Sequence, residues 1–452
     1  MSNRTFVAPQ ALLAGGWAND VRIDVDATGT ITELTPDSAT REGIHLAGPV
    51  VPGMPNIHSH AFQRAFAGRA ERAHGGTDTF WTWRRAMYDV ANRIDPDDVE
   101  AIAAQLYVDL LRGGFTAVAE FHYVHHQPDG TPYANRAELG ERIIAAANAS
   151  GIGLTLLPVL YRWSDFGATP PRAEQRRFIN DLDGFAALLD ALAPQLREPD
   201  RRLGIAPHSL RAVGPRDLDA LLSLRAEHDA SMPVHLHIAE VLGEVERAQA
   251  VLGARPVEWL AAHAPLDDGW CAVHAVHLTS DESRTLAESG AVVALCPSTE
   301  GNLGDGVFDW HAFAAAGGRT GIGTDSHVGL DPAVELRWFE YDQRLRDRRR
   351  TVTPSPHERF VACARDGARA SGRPIGALAP GKRADLVVLD PEHSALAGGD
   401  RETLIDRWIV AGGAACVRDV YVGGNAVIRE RIHRDEAAIR KRYAATMKRL
   451  WP

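Results

Sequence analysis

The sequence is almost without lysine. Of its 49 basic residues only Lys382, Lys441 and Lys448 are not arginine, and everything before Lys382 is lysine-free. Cysteine is scarce as well. Cys271, Cys296, Cys363 and Cys416 lie scattered without paired spacing, which argues against a disulfide framework and for reduced thiols in a cytoplasmic protein. No apolar run approaches the length of a membrane span, and the opening "MSNRTFVAPQALLAGGWAND" lacks the apolar stretch of a secretion signal. A net charge of −10 excludes a basic nucleic-acid footprint and a polybasic membrane patch. Repeats and low-complexity tracts are missing too. What is there, 45% hydrophobic and 24% charged residues in a chain of 452, is an ordinary globular composition with ample core.

Length alone suggests two or three domains. The first fifty residues read as short strands with turns ("TFVAPQALL", "DVRIDVD", "GTITELTP"), and the same texture returns in "ADLVVLD" and "VRDVYVGGNAVIRE". Between them, short apolar runs alternate with Ala/Leu-rich amphipathic segments. The runs are "VVPGMPNIH", "FTAVAEFH", "GLTLLPVL", "LGIAPHS", "MPVHLHIAE", "WCAVHAV", "AVVALCP" and "RTGIGTDS". Eight strands alternating with helices predict an α/β fold with a parallel (β/α)8 barrel. The expected division is 1–52 and 373–432 for a small β-domain built from both ends, 53–372 for the barrel, and 433–452 for a charged C-terminal helix.

In such a barrel the C-terminal strand ends carry the chemistry, and here those ends are polar. His58 and His60 close the first strand. With 19 histidines, roughly one His-x-His arises by chance, and a second does occur at His235 and His237, so the motif alone is weak. The rest of the set strengthens it. His237 and Glu240 end the fifth strand, His274 the sixth and Asp325 the eighth. Taken singly, each histidine is explained equally well by a hydrogen-bonded structural role. Together, imidazoles and one carboxylate at successive strand mouths make a donor set suited to zinc or a similar divalent ion.

This pattern resembles the amidohydrolase superfamily, as does "PGKRADLVVLD", the segment by which such chains return to their β-domain. The resemblance implies a distorted (β/α)8 barrel beside a composite β-sandwich. "HxxE" resembles the deaminase branch, which implies metal ligation by His58, His60, His237 and Asp325. Glu240 and His274 then correspond to the residues that move protons, with Asp325 assisting. Members with two metals commonly bridge them with a carboxylated lysine, which a lysine-free barrel cannot supply. Glu120 could replace it, but one ion, zinc, is the expectation. A zinc ion lowers the pKa of its water from about 15.7 to near 7, and Glu240 would pass the released proton to a departing nitrogen.

The remaining polar residues at the barrel mouth point to the substrate. They are Gln63, Arg84, Tyr123, His208 and Arg211. The planar fork of arginine suits carboxylates, so two arginines suggest two anionic groups. The strings "MPNIHSHAFQRAFAG", "FWTWR", "EFHYVHH", "APHSLRAV", "STEGNLGDG" and "GTDSHV" resemble the formimidoylglutamate deiminases. That resemblance implies substrate contacts for the five residues just named and hydrolysis of N-formimidoyl-L-glutamate to N-formyl-L-glutamate and ammonia in histidine degradation. It also implies a homodimer. Two alternatives stand beside it. One is a deaminase of a nucleobase or adenosine derivative, for which Trp81 and Trp83 could stack the ring. The other is a catalytically silent barrel, which would need a lost ligand or proton carrier.

Overall fold

Gly53 divides the run "VVPGMPNIH" into two strands that serve different sheets. The computed structural model describes residues 3–71 and 80–452. In it Val50–Pro52 pairs with Leu386–Leu389 in an outer sheet, while Met54–Ser59 begins the barrel. A Cβ on Gly53 would stand 2.1 Å from Thr116 Oγ1 on the second barrel strand, so only glycine lets the chain cross between the sheets at that distance. The sequence pattern predicts one strand there, because an apolar run does not mark which sheet each half will join.

The barrel strands are Met54–Ser59, Phe115–His122, Gly153–Leu160, a broken fourth (Arg201–Leu203 and Ala206–Pro207), Val234–Ile238, Trp270–His274, Val292–Leu295 and Arg319–Ile322. Every residue of the first three is buried, as expected for parallel strands covered on both faces. The fourth breaks at Gly204, where a Cβ would meet Leu157 Cδ2 at 2.5 Å. Strands one to four and five to eight form two parallel half-sheets. Single bridges join them, Ile205 to Val234 and Ser209 to His237 at one seam and Ser59 to Asp325 at the other. The result is a distorted (β/α)8 barrel, and both seams run beside the expected ligands.

Helices pack around the strands with clear local signals. In Pro96–Gly113, Asp95 caps the N-terminus in a reciprocal box with Asp98, Pro96 occupies the first turn, and Gly114 ends the helix at φ +104°. Val99, Ile102, Leu106 and Leu110 then share its buried face.

The outer sheet has nine strands drawn from both ends of the chain. Arg4–Leu13, Gly16–Val25, Ile31–Thr35, Ile44–His45 and Val50–Pro52 join Leu386–Leu389, Val417–Val422, Asn425–Arg429 and Ile432–His433. Phe6 and Tyr421 lie three strands apart in this sheet, about 14 Å if it were flat. Their ring centroids are 5.2 Å apart, so the sheet curls over its own core in the manner of a sandwich. The helix Glu436–Leu450 lies on Pro96–Gly113, with Arg442 bonded to Glu100 at 2.6 Å. Just beyond it, Trp451 Nε1 donates to Ala65 O at 3.0 Å, in the turn that follows the first barrel strand. Among the described residues no helix is long and apolar enough to cross a membrane.

Candidate metal centre

Where strands one, five, six and eight end, the backbone bends out of strand geometry. His274 (φ +69°), Asp325 (φ +46°) and Ala239 (φ +50°), between His237 and Glu240, all adopt the left-handed region that non-glycine residues rarely enter. Inter-strand hydrogen bonds hold them there. Asp325 N donates to His58 O at 3.0 Å, His60 N to Asp325 O at 3.2 Å, and Ala275 N to Ile238 O at 3.1 Å. Of the four side chains that converge there, His58, His60, His237 and Asp325, only Asp325 itself sits in that region. Gly323 allows the eighth strand to lie against the first, since a Cβ there would sit 2.7 Å from the Cβ of His58.

The four side chains meet at one point. His58 Nε2 is 3.1 Å from His237 Nε2, and His60 Nε2 is 3.3 Å from the same atom. Asp325 Oδ1 lies 3.4 Å from His58 Nε2 and 3.3 Å from His60 Nε2. For zinc at about 2.0–2.1 Å from each nitrogen, the edges of a coordination tetrahedron are about 3.3–3.4 Å. The spacing fits such an ion.

The chemistry of the donors fits as well. His60 Nδ1 donates to Phe121 O at 2.9 Å and His237 Nδ1 to His208 O at 3.0 Å. Because a carbonyl only accepts, both rings carry their proton on Nδ1 and present a bare Nε2 lone pair to the centre. Burial pushes His58 down to about 3 and lowers His60 and His237 as well, so these rings are neutral. Burial raises Asp325, but the contact with His58 and the charge of His274 outweigh it and hold this carboxyl below its usual range. Lone pairs and an anion crowded together call for a cation.

A second group borders the cluster. Glu240 Oε1 lies 3.7 Å from His274 Nε2, which is 3.9 Å from Asp325 Oδ2. On the far side of the ring, Glu300 Oε1 lies 3.2 Å from His274 Nδ1. Burial alone would lower His274, yet Glu240, Glu300 and Asp325 together raise it to about 10. Glu120, the alternative bridging residue, faces elsewhere. Its oxygens accept from Ser59 Oγ (2.6 Å), Ala61 N (2.6 Å) and Tyr107 OH (3.1 Å), and burial raises it to about 7. It braces the turn beyond His60.

A cleft opens over the cluster. Gln63, Arg84, Tyr123, His208 and Arg211 all line it, together with His60, His237, Glu240, His274 and Asp325. His58 lies beneath them, fully buried. Gln63 Nε2 donates to Tyr123 OH at 2.9 Å. Arg211 is buried and 3.9 Å from Glu240 Oε2, and among the described residues its Nε has no hydrogen-bond partner. Arg84 donates to Tyr161 OH at 2.9 Å. Trp83 reaches the rim, and the Trp81 side chain lies outside the described residues. Sequence reasoning does not single out Tyr161, Tyr88 or Glu300. The first two read as core aromatics, and Glu300 lies on a short helix, Pro297–Leu303, after the seventh strand.

Known proteins share this architecture. A solved amidohydrolase from Brucella melitensis superposes with a TM-score of 0.93 and 44% identity, covering 99% of this chain and 100% of that one. An adenosine deaminase from Xanthomonas campestris, solved with bound zinc, shares the fold at a TM-score of 0.82 and 24% identity, over 99% and 98% of the two chains. The formimidoylglutamate deiminase of Pseudomonas aeruginosa is 49% identical over 435 residues, 95% of either chain. Residues 4–43 match the N-terminal domain described for formimidoylglutamate deiminase HutF. Since residues 50–427, spanning the whole barrel, match the amidohydrolase family, the chain belongs to that family.

Proposed function

We propose that the chain hydrolyses N-formimidoyl-L-glutamate, and that His58, His60, His237 and Asp325 hold one divalent ion, zinc, for that purpose. When bound there, the ion supplies Lewis acidity, bringing the pKa of water from about 15.7 to near 7. Glu240 takes the proton released from water and delivers it to the terminal imino nitrogen. A bond forms between the water oxygen and the formimidoyl carbon. The hydroxyl of that adduct then gives up its remaining proton, through Glu240, to the same nitrogen as the carbon–nitrogen bond breaks, leaving the formyl carbonyl and ammonia. His274, held by Glu300 and 3.7 Å from Glu240, orients the attacking water from the other side together with Asp325.

One observation carries the substrate choice: Arg84 and Arg211 line the same cleft as the donor cluster. N-formimidoyl-L-glutamate has two carboxylates for the two guanidinium forks, with Gln63, Tyr123 and His208 as further polar contacts. A nucleobase has no charge for either arginine. The similarity to the Pseudomonas aeruginosa enzyme supports the same reading. The test is ammonia release by the zinc-loaded protein from N-formimidoyl-L-glutamate, guanine, cytosine and adenosine side by side. Turnover of formimidoylglutamate alone is expected. Preference for a nucleobase would overturn the substrate assignment, and silence on every compound would favour a barrel without catalysis.

A further inference from the structure

Tyr161 follows directly on the third barrel strand, Gly153–Leu160, and lines the cleft. Its ring is held by packing, 4.4 Å from His208 and 5.9 Å from Phe178 between centroids. The hydroxyl is held by hydrogen bonds, 2.9 Å from Arg84 Nη2 and 2.7 Å from Gln175 Nε2.

The direction of both bonds follows from chemistry. A guanidinium has donors and no acceptor, so Arg84 donates. The Gln175 amide is oriented by its other end, where Oε1 accepts from Arg172 N at 2.9 Å. An oxygen in that position leaves Nε2 facing Tyr161, and the amide donates too. Both lone pairs of the phenol oxygen are therefore occupied. Its own proton is the remaining hydrogen-bonding capacity, and among the described residues no acceptor is bonded to it. A donor without a partner at the wall of a cleft, beside a guanidinium, is arranged for an acceptor that enters from outside.

We propose that Tyr161 is a substrate-binding residue whose hydroxyl donates to the same carboxylate that Arg84 engages. The inference rests on the dicarboxylate reading above and makes that subsite more specific. A carboxylate offers about four lone-pair sites and no donor, so it can take the arginine fork and the phenol together. A carboxamide in its place would turn its NH2 toward either Arg84 or Tyr161, leaving donor against donor, so the subsite selects acid over amide. Gln175 touches no substrate in this arrangement. It positions Tyr161 by filling the lone pair that would otherwise let the hydroxyl rotate.

Tyr161→Phe keeps the packed ring and removes only the donor. Its kcat/KM for N-formimidoyl-L-glutamate and its affinity for glutarate, measured by calorimetry, are both expected to fall roughly 10- to 100-fold, as for a hydrogen bond to a charged acceptor. Zinc content should equal that of the unsubstituted protein. Placing Tyr161→Phe on an Arg84→Met background separates direct contact from mere support of Arg84. A direct donor still weakens glutarate binding at least about threefold there. No added loss on that background, or unchanged glutarate affinity in the single variant, overturns the proposal. Failure of the unsubstituted protein to release ammonia from formimidoylglutamate overturns the function instead, and Tyr161 is then judged on glutarate binding alone. If the protein releases no ammonia from formimidoylglutamate and does not bind glutarate either, both readings fall.

Discussion

His58 and His237 face each other across the full width of the barrel, from strands one and five, with their Nε2 atoms 3.1 Å apart. His237 turns its bare Nε2 lone pair toward His58 at that distance, an arrangement suited to a cation held between the two rings. The purified protein is expected to carry one divalent ion per chain by elemental analysis. Replacing His58, His60, His237 or Asp325 by alanine should remove metal and activity together. Two tightly held ions would contradict the single site; the oxygens of Glu120 already accept three hydrogen bonds.

Glu240 separates proton transfer from metal binding. It lies beside His274 and Arg211 and outside the donor set. Glu240→Gln should keep its zinc and lose about 10²- to 10⁴-fold in kcat, since an amide cannot shuttle a proton. Wild-type rates in this variant would remove Glu240 from the mechanism.

Arg211 is expected to act on substrate and not on metal. Arg211→Met should lower kcat/KM for formimidoylglutamate by about 10²-fold or more with zinc content unchanged, because a buried charged pairing is lost. Part of that loss should appear in kcat, as a remote carboxylate positions the reacting carbon. Arg211→Lys should fare little better, since an ammonium lacks the fork. The aspartate analogue, one methylene shorter, should turn over far more slowly than the glutamate compound.

Glu120 predicts a pH dependence of stability. Burial raises its pKa from 4.5 to about 7 in the folded protein. The folded state therefore binds this proton more tightly than the unfolded state does. The associated stability is complete below about pH 4.5 and is lost as pH rises through 7. The full effect is on the order of 3 kcal/mol. Denaturant titrations of wild type and Glu120→Gln at pH 5 and pH 8 should show wild type losing more between the two. Parallel behaviour of the two proteins would refute the account.

Much of the site is legible in the sequence, because polar residues at the ends of apolar runs stand out. His58, His60, His237, His274 and Asp325 are visible in that way, and the structure brings them within reach of one another. The same rule extends to Tyr161, the residue after Leu160, but an aromatic there looks like more core. Glu300 escapes because its role comes from a distance, 3.2 Å to His274, which no local pattern encodes. In the fold, the missing information is where a strand changes partners. Gly53 and Gly204 mark two such places, and each is glycine because a side chain on another strand occupies the space of its Cβ.

The strand Val50–Pro52 leads straight into the first ligand-bearing strand, yet its partner Leu386–Leu389 comes more than 330 residues later. The turn just beyond His60 is likewise tied to Trp451. During synthesis all four donor side chains, His58 to Asp325, therefore leave the ribosome before either of these braces exists. Contacts so distant in sequence close late and slowly. A growing chain accordingly displays the ligands before the strand that leads into the barrel and the turn beyond His60 have their braces, and the site gains that support only after translation has passed residue 451.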